Sequence, residues 1–159
     1  MKIRIICVGK LKEKYLKDAI DEYAKRLGRF CTFEIVELND EKIPDNASKA
    51  ECDIVLKKEA DSILKKISKD SYVIALCVEG KAVSSEDFAK KIGGITLSGK
   101  STIDFIIGGS LGLDSSVKTR SDFRLSFSSF TFPHQLMRLI LTEQVYRAFK
   151  INSNEEYHK

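Results

Sequence analysis

The sequence predicts an α/β fold, a three-layer sandwich in which a mostly parallel sheet lies between two layers of helices. Short apolar runs of strand length alternate along the chain with longer segments that carry apolar residues at helical spacing. Strands that alternate with helices are joined by crossover connections, which make neighbouring strands parallel and cover both faces of the sheet. No linker-like stretch or internal repeat breaks this alternation, so we expect residues 1–159 to form one domain.

The first half of the chain supplies two strands and two helices of this pattern. Lys2–Val8 is a short apolar run that ends at Gly9, and a second apolar run covers residues 33–38. Apolar residues at helical spacing cover residues 14–29 and residues 47–68, with charged residues on the opposite faces. The polar segment between the second strand and the second helix is predicted to be a loop.

The second half of the chain continues the alternation and ends in a long helix. The third helix is predicted to begin at Ser84 or Ser85, which can cap it, and to stop at Gly93 and Gly94. Pro133 suits the first turn of the last helix. The predicted elements here are strands over residues 72–78, 103–107 and 123–127 and helices over residues 84–93 and 133–150.

Four loops follow the carboxyl ends of predicted strands, which is the edge where α/β sheets bind ligands. They begin after Val8, Val78, Ile107 and Phe127. The loop after Ile107 reads GGSLG (residues 108–112), and three glycines in five residues favour close approach of the backbone to a ligand over a purely structural turn. These glycines match neither a dinucleotide-binding fingerprint nor a P-loop.

The loop after the last strand alternates phenylalanine with serine and threonine, reading FSSFTF over residues 127–132. Its apolar side chains can pack on a flat heteroaromatic ring while its backbone groups bond to the edge of the ring. Core phenylalanines explain the same pattern equally well.

Cysteine, histidine and hydropathy patterns exclude several classes of function. The four cysteines and two histidines lack the close spacing of a zinc or redox motif, so we expect no metal. No segment approaches the roughly 20 apolar residues of a membrane span, and the first apolar run is too short for a signal peptide. We therefore expect a cytoplasmic protein with no membrane partner.

Positive charge is concentrated at the two ends of the chain. Residues 1–30 hold nine Lys or Arg against four Asp or Glu, residues 31–117 hold eleven against fifteen, and residues 118–159 hold seven against four. If the two ends meet in space, they form a basic face suited to nucleic acid. A solvated surface with chance asymmetry explains the distribution equally well.

The last helix is apolar over more than one stripe. A helix of this kind is either buried centrally or lies at a subunit interface. His134 lies in its first turn and fits a structural role as well as a catalytic one. One stripe contains Met137, Ile140, Leu141, Val145 and Ala148, and Leu136 and Leu139 widen it.

The chain ends in the triplet Tyr157-His158-Lys159. A polar terminal tail is disordered by default. An aromatic ring, an imidazole and an ammonium together can, however, stack on a base and hold a phosphate.

Taken together, these segments resemble a known family. The similarity extends over the opening IRIICVGKLKEKYLKDAIDEYAKRL, the turn GGSLGL, the block LSFSSFTFPHQLMRLILTEQVYRAFKI and the terminal YHK. The family is the bacterial ribosomal RNA large subunit methyltransferase H family, the 23S rRNA pseudouridine N3-methyltransferases of the SPOUT superfamily. The resemblance implies a C-terminal trefoil knot, the cofactor S-adenosylmethionine, a homodimer, and a pseudouridine in 23S rRNA of assembled ribosomes as the substrate.

The resemblance also implies roles for individual residues. The tail would reach the partner subunit's pocket, although Glu156 stands where the family usually has a proline. An acid beside phosphate is unfavourable, and the tail loses a rigidifying residue. The implied cofactor-binding residues are Leu76, Gly108, Phe127, Ser128, Ser129, Phe130, Thr131 and Phe132. The basic N-terminal helix and the residues Tyr157, His158 and Lys159 would face RNA, and Arg138 is a further candidate for RNA binding.

Methylation at N3 requires the base to lose its imide proton. The candidate acceptors are His158, Tyr157 and His134, in that order, while Arg138 and Lys159 can stabilise negative charge on the base or hold phosphate. Two alternatives remain open, a SPOUT RNA methyltransferase that acts on a 2′-oxygen and a ribosome-binding factor without enzymatic activity.

Overall fold

The computed structural model describes residues 1–158 as a five-stranded sheet flanked by helices. The strands lie in the order β2-β1-β4-β3-β5, and every neighbouring pair is parallel. The elements are β1 (Lys2–Val8), α1 (Lys14–Leu27), β2 (Thr32–Leu38), α2 (Lys49–Lys66), β3 (Tyr72–Ala82), α3 (Ser85–Leu97), β4 (Thr102–Ile107), α4 (Ser115–Arg120), β5 (Phe123–Ser126) and α5 (His134–Asn152).

Two hydrophobic clusters cover the two faces of the sheet. The larger cluster joins one face to α1, α3 and α5, and includes Phe88, Phe105 and Val145. The smaller cluster joins the other face to α2 and α4, and includes Ile63 and Val117. Alternating residues of the strands supply the two clusters, as a sheet buried on both faces requires. The predicted three-layer α/β architecture is thereby confirmed, while the trefoil knot stays a prediction.

Two predicted boundaries were wrong, and one helix was missed. The third helix does not stop at Gly93 and Gly94 but continues to Leu97, because the packing of Phe88, Ile92 and Ile95 on the sheet outweighs the low helix propensity of glycine. The third strand extends to Ala82 through an irregularity in its register with β5. The short helix α4, whose first turn is capped by Asp114, was not predicted.

A buried carboxylate joins the strands at the edge opposite the predicted ligand loops. Asp104 of β4 is fully buried and accepts two hydrogen bonds from the Arg4 guanidinium, each of 2.7 Å. The Ser71 hydroxyl donates to it over 2.7 Å and the Ser68 N–H over 3.0 Å. Four donors compensate the desolvation of this charge inside an otherwise apolar strand.

Candidate functional site

A cavity of about 370 Å³ lies at the carboxyl ends of β3, β4 and β5. We call it the main cavity. Its volume falls within the range of cavities that hold small molecules and cofactors. Its lining residues come from the end of β3, the glycine turn after β4 and the loop after β5, together with Lys118, His134 and Met137. Three of the four strand-end loops predicted to build a site therefore meet here.

The glycine turn forms a tight backbone wall on one side of this cavity. The Gly112 N–H donates to the Gly109 carbonyl over 3.0 Å, which closes the turn. A Cβ atom on Gly108 would lie 2.7 Å from the carbonyl carbon of Gly112 and closer still to its oxygen. Only glycine at position 108 lets the two ends of the turn approach this closely.

The loop over residues 127–132 forms the facing wall and offers unused hydrogen-bond donors. The Ser128 hydroxyl accepts from the Phe130 N–H over 3.0 Å, and the Ser126 hydroxyl donates to the Ser128 carbonyl over 3.2 Å. The other N–H groups of residues 128–132 donate to no group in the part of the chain that the structure describes. Apolar side chains with free backbone donors suit a purine ring and an aliphatic arm, so these residues fit S-adenosylmethionine.

The structure brings together most of the residues predicted to bind the cofactor. Ser129 lies in the same loop but does not line the cavity, whereas His134 does. Their roles toward a cofactor stay predictions. Those that line the main cavity are Leu76, Gly108, Phe127, Ser128, Phe130, Thr131 and Phe132.

The fourth strand-end loop, after Val8, contributes to a separate cavity of about 280 Å³. We call it the acidic cavity. It shares Gly109, Ser110 and His134 with the main cavity, so the two adjoin. Its lining residues are Val8, Gly9, Asp40, Glu41, Lys42, Ile43, Glu59, Gly109, Ser110 and His134.

Glu59 of α2 is the buried charged residue in the lining of this acidic cavity, and sequence reasoning missed it. Burial raises its pKa, as do the nearby charges of Asp40 and Glu41, although the Glu41 N–H donates to it over 3.1 Å and opposes the shift. A signal was present, because Glu59 lies four residues after Val55 and four before Ile63, on the stripe that helical spacing buries.

Arg138 differs from the sequence-based expectation of an RNA contact. Its side chain is fully buried and bonds the carboxylate of Glu37 over 3.0 Å and the carbonyls of Val8 and Gly9 over 3.0 and 2.9 Å. Its Nε has no hydrogen-bond partner among the described residues. As a correction, we assign Arg138 to joining α5 with the ends of β1 and β2, since phosphate cannot reach a buried guanidinium.

The C-terminal tail packs on its own chain rather than lining the main cavity. Tyr157 stacks edge-on against Tyr146 with ring centroids 5.0 Å apart, and its hydroxyl donates to Glu143 over 3.0 Å. Burial raises the pKa of Tyr157, as do the Tyr23 hydroxyl and the Glu143 carboxylate. The tyrosine is therefore protonated at neutral pH and a poor base in this position.

His158 lies between α3 and α5. Its Nε2 is 2.8 Å from the Glu86 carboxylate, and its Nδ1 is 3.2 Å from the Arg147 guanidinium. The hydrogen bond with His158 is the main reason that the pKa of Glu86 falls to about 2. The expectation for Lys159 lies outside the described residues.

The predictions of no membrane span and no metal site can be compared with the structure of residues 1–158. No helix within residues 1–158 is long and apolar enough to cross a membrane. Over the same residues, no group of three or more His, Cys, Asp or Glu side chains is arranged to hold a metal ion.

Comparisons with known proteins give a consistent result. The family model described as a predicted SPOUT methyltransferase matches residues 1–158. A protein of Streptococcus pyogenes serotype M5 (strain Manfredo), named ribosomal RNA large subunit methyltransferase H, is 59% identical over 159 residues, with 100% of both chains covered. A protein of the same name from S. pyogenes serotype M18 (strain MGAS8232) is 58% identical over the same full lengths.

One solved structure shares the fold at low sequence identity. It is a probable methylase family protein from Haemophilus influenzae Rd KW20, with a TM-score of 0.52 and 15% identity. The match covers 99% of this chain and 70% of that chain. At this identity the likeness concerns the fold alone.

Proposed function

Because this chain belongs to the SPOUT methyltransferase family and is an S-adenosylmethionine-dependent methyltransferase, we propose that it methylates N3 of a pseudouridine in the 23S rRNA of assembled ribosomes. The observation that carries the proposal is identity of 59% over the full length of a relative named for action on large-subunit ribosomal RNA. An enzyme of assembled ribosomes works in the cytoplasm. The family also implies the C-terminal trefoil knot.

We propose that the main cavity holds S-adenosylmethionine between the glycine turn and the 127–132 loop. The cofactor supplies an electrophilic methyl group. The chain then has to hold the cofactor in one orientation, exclude water and bring the target nitrogen into line, which is catalysis by positioning. Free N–H groups of residues 128–132 would bond the edge of the adenine, and the Leu76 and Phe127 side chains would supply apolar walls.

We propose that the enzyme is a homodimer formed through α5 and that each tail completes the partner's site. Leu136, Leu139 and Ile140 are half-buried and are not among the side chains packed against either core cluster of residues 1–158. Phe130, at the mouth of the main cavity, is 78% exposed. Apolar surface of this kind next to a ligand cavity is typical of a subunit interface.

Incubation with ribosomes tests the proposed reaction. Ribosomes from a strain lacking the modification are incubated with the protein and methyl-labelled S-adenosylmethionine, and the rRNA nucleosides are separated by mass spectrometry. The expected product is pseudouridine methylated on its base. Label on a ribose 2′-oxygen, or no label in RNA, would contradict the proposal.

Sedimentation equilibrium tests the dimer. The wild-type protein should sediment at twice the chain mass of 17.9 kDa, whereas Leu139→Glu should shift it to the monomer. Lys69→Glu, on the exposed surface after α2, is the matched charge control and should remain dimeric. A wild-type monomer at micromolar concentration would refute the dimer.

A further inference from the structure

The acidic cavity contains a buried carboxylate that the proposed function leaves unused. Glu59 is only 6% exposed, and its Oε1 accepts one hydrogen bond, from the Glu41 N–H. Its Oε2 accepts none from the described residues 1–158 and faces the glycine turn, where a Cβ on Gly109 would lie 3.1 Å away. Oε2 is not among the buried atoms of residues 1–158 that lack a partner, so it is open to the cavity and can accept a hydrogen bond from a ligand that carries a donor.

The position of this cavity limits what that ligand can be. Gly109, Ser110 and His134 line both cavities, so a molecule in the acidic cavity lies beside whatever fills the main cavity. At about 280 Å³ the acidic cavity has room for a single base. Its lining offers an acceptor in Glu59 and donors in Ser110 and Lys42, which matches an imide with one N–H between two carbonyls.

Resting on the proposed function, the geometry points to the acidic cavity as the site of the target base, with Oε2 of Glu59 accepting the proton of N3. In the transfer, N3 forms a bond to the methyl carbon as the carbon–sulfur bond breaks, and the electron pair of that bond stays on sulfur. The N3 proton moves to Oε2, which turns the carboxylate into a carboxylic acid. The acid then returns its proton to water through the cavity.

The charged and titratable groups around Glu59 come from several elements. Asp40 and Glu41, in the segment after β2, raise the pKa of Glu59 together with burial, and Lys42 lies in the same segment. His134 faces the cavity from the first turn of α5. A carboxylate whose pKa is raised by its surroundings is a stronger base, which suits removal of a weakly acidic imide proton.

Substitution of Glu59 tests the inference by single-turnover methylation of ribosomes. Glu59→Gln keeps the size and the Glu41 contact but removes the base, so the rate should fall at least 100-fold. The affinity for S-adenosylmethionine, measured by calorimetry, and the thermal midpoint should change little. Glu59→Asp restores a carboxylate and should recover part of the rate. The control is Asp61→Asn, an exposed carboxylate on the same helix, which should behave as wild type.

The pH profile separates a proton acceptor from a structural residue. The wild-type rate should rise with pH through the pKa of Glu59, and the Glu59→Gln variant should lack this rise. A Glu59→Gln rate within threefold of wild type, or a loss of rate that parallels a loss of cofactor binding, would overturn the inference and leave the proposed function intact. If wild-type protein leaves the ribosomal pseudouridine unmethylated, the proposed function fails and the inference fails with it.

Discussion

Replacing Gly108 with alanine should open the glycine turn that walls the main cavity. The new Cβ would lie 2.7 Å from the carbonyl carbon of Gly112 and closer still to its oxygen, so the backbone must retreat by more than about 0.7 Å to reach the 3.4 Å of ordinary contact. Overpacking of this kind costs about 1–3 kcal/mol, and losing the Gly112–Gly109 hydrogen bond adds about 1 kcal/mol. We expect the free energy of unfolding to fall by about 2–4 kcal/mol.

Thermal unfolding and calorimetry check this prediction. For a chain of this length, the expected loss lowers the thermal midpoint by about 5–15 °C, and displacement of the turn should weaken S-adenosylmethionine binding at least about tenfold. Gly94→Ala is the matched control, because that glycine lies inside α3 with nothing within 4 Å of an added Cβ. The control should gain about 0.5–1 kcal/mol of stability. A Gly108→Ala protein that melts and binds the cofactor like wild type would refute the packing argument.

Three further predictions follow from the contacts described above. Asp104→Ala should lower the free energy of unfolding by about 3–5 kcal/mol in urea titrations, because the Arg4, Ser68 and Ser71 donors lose a fully buried acceptor; a change below about 1 kcal/mol would contradict this. Arg138→Met should lower the free energy of unfolding by about 2 kcal/mol. The loss is smaller than for a fully buried ion pair because the Glu37 carboxylate keeps contact with solvent. The salt dependence of RNA binding should not change. If the slope of the logarithm of the RNA-binding constant against the logarithm of salt concentration fell by about one, Arg138 would instead contact a phosphate. The pKa of Glu86 is lowered, so its ionised form stabilises the docked tail above about pH 4.5, and NMR should show the contact with His158 lost as pH falls toward about 2. A tail that stays docked at pH 2 would contradict that reasoning.

The sequence predicted the parts of the molecule that depend on local spacing. Short apolar runs located every strand that the structure describes, and the glycine-rich loop pointed to the wall of the main cavity because strand ends in parallel sheets meet at one edge. The roles of Glu59 and Arg138 depend on partners far away in the chain. Arg138 bonds carbonyls that precede it by 129 and 130 residues, and no local pattern distinguishes such an arginine from one that faces solvent. The buried ion pair of Asp104 could not be predicted for the same reason, because its partner Arg4 lies 100 residues earlier in the sequence.

The contacts of Arg138 have a consequence for how the protein is made. They connect β1 to α5, so they form only after α5 has been synthesised. The walls of the main cavity likewise include Phe132 and Met137, close to the end of the chain. Contacts between distant parts of a sequence form late and slowly, because a long loop must close first. A nascent chain that still lacks α5 therefore has no complete cavity for the cofactor.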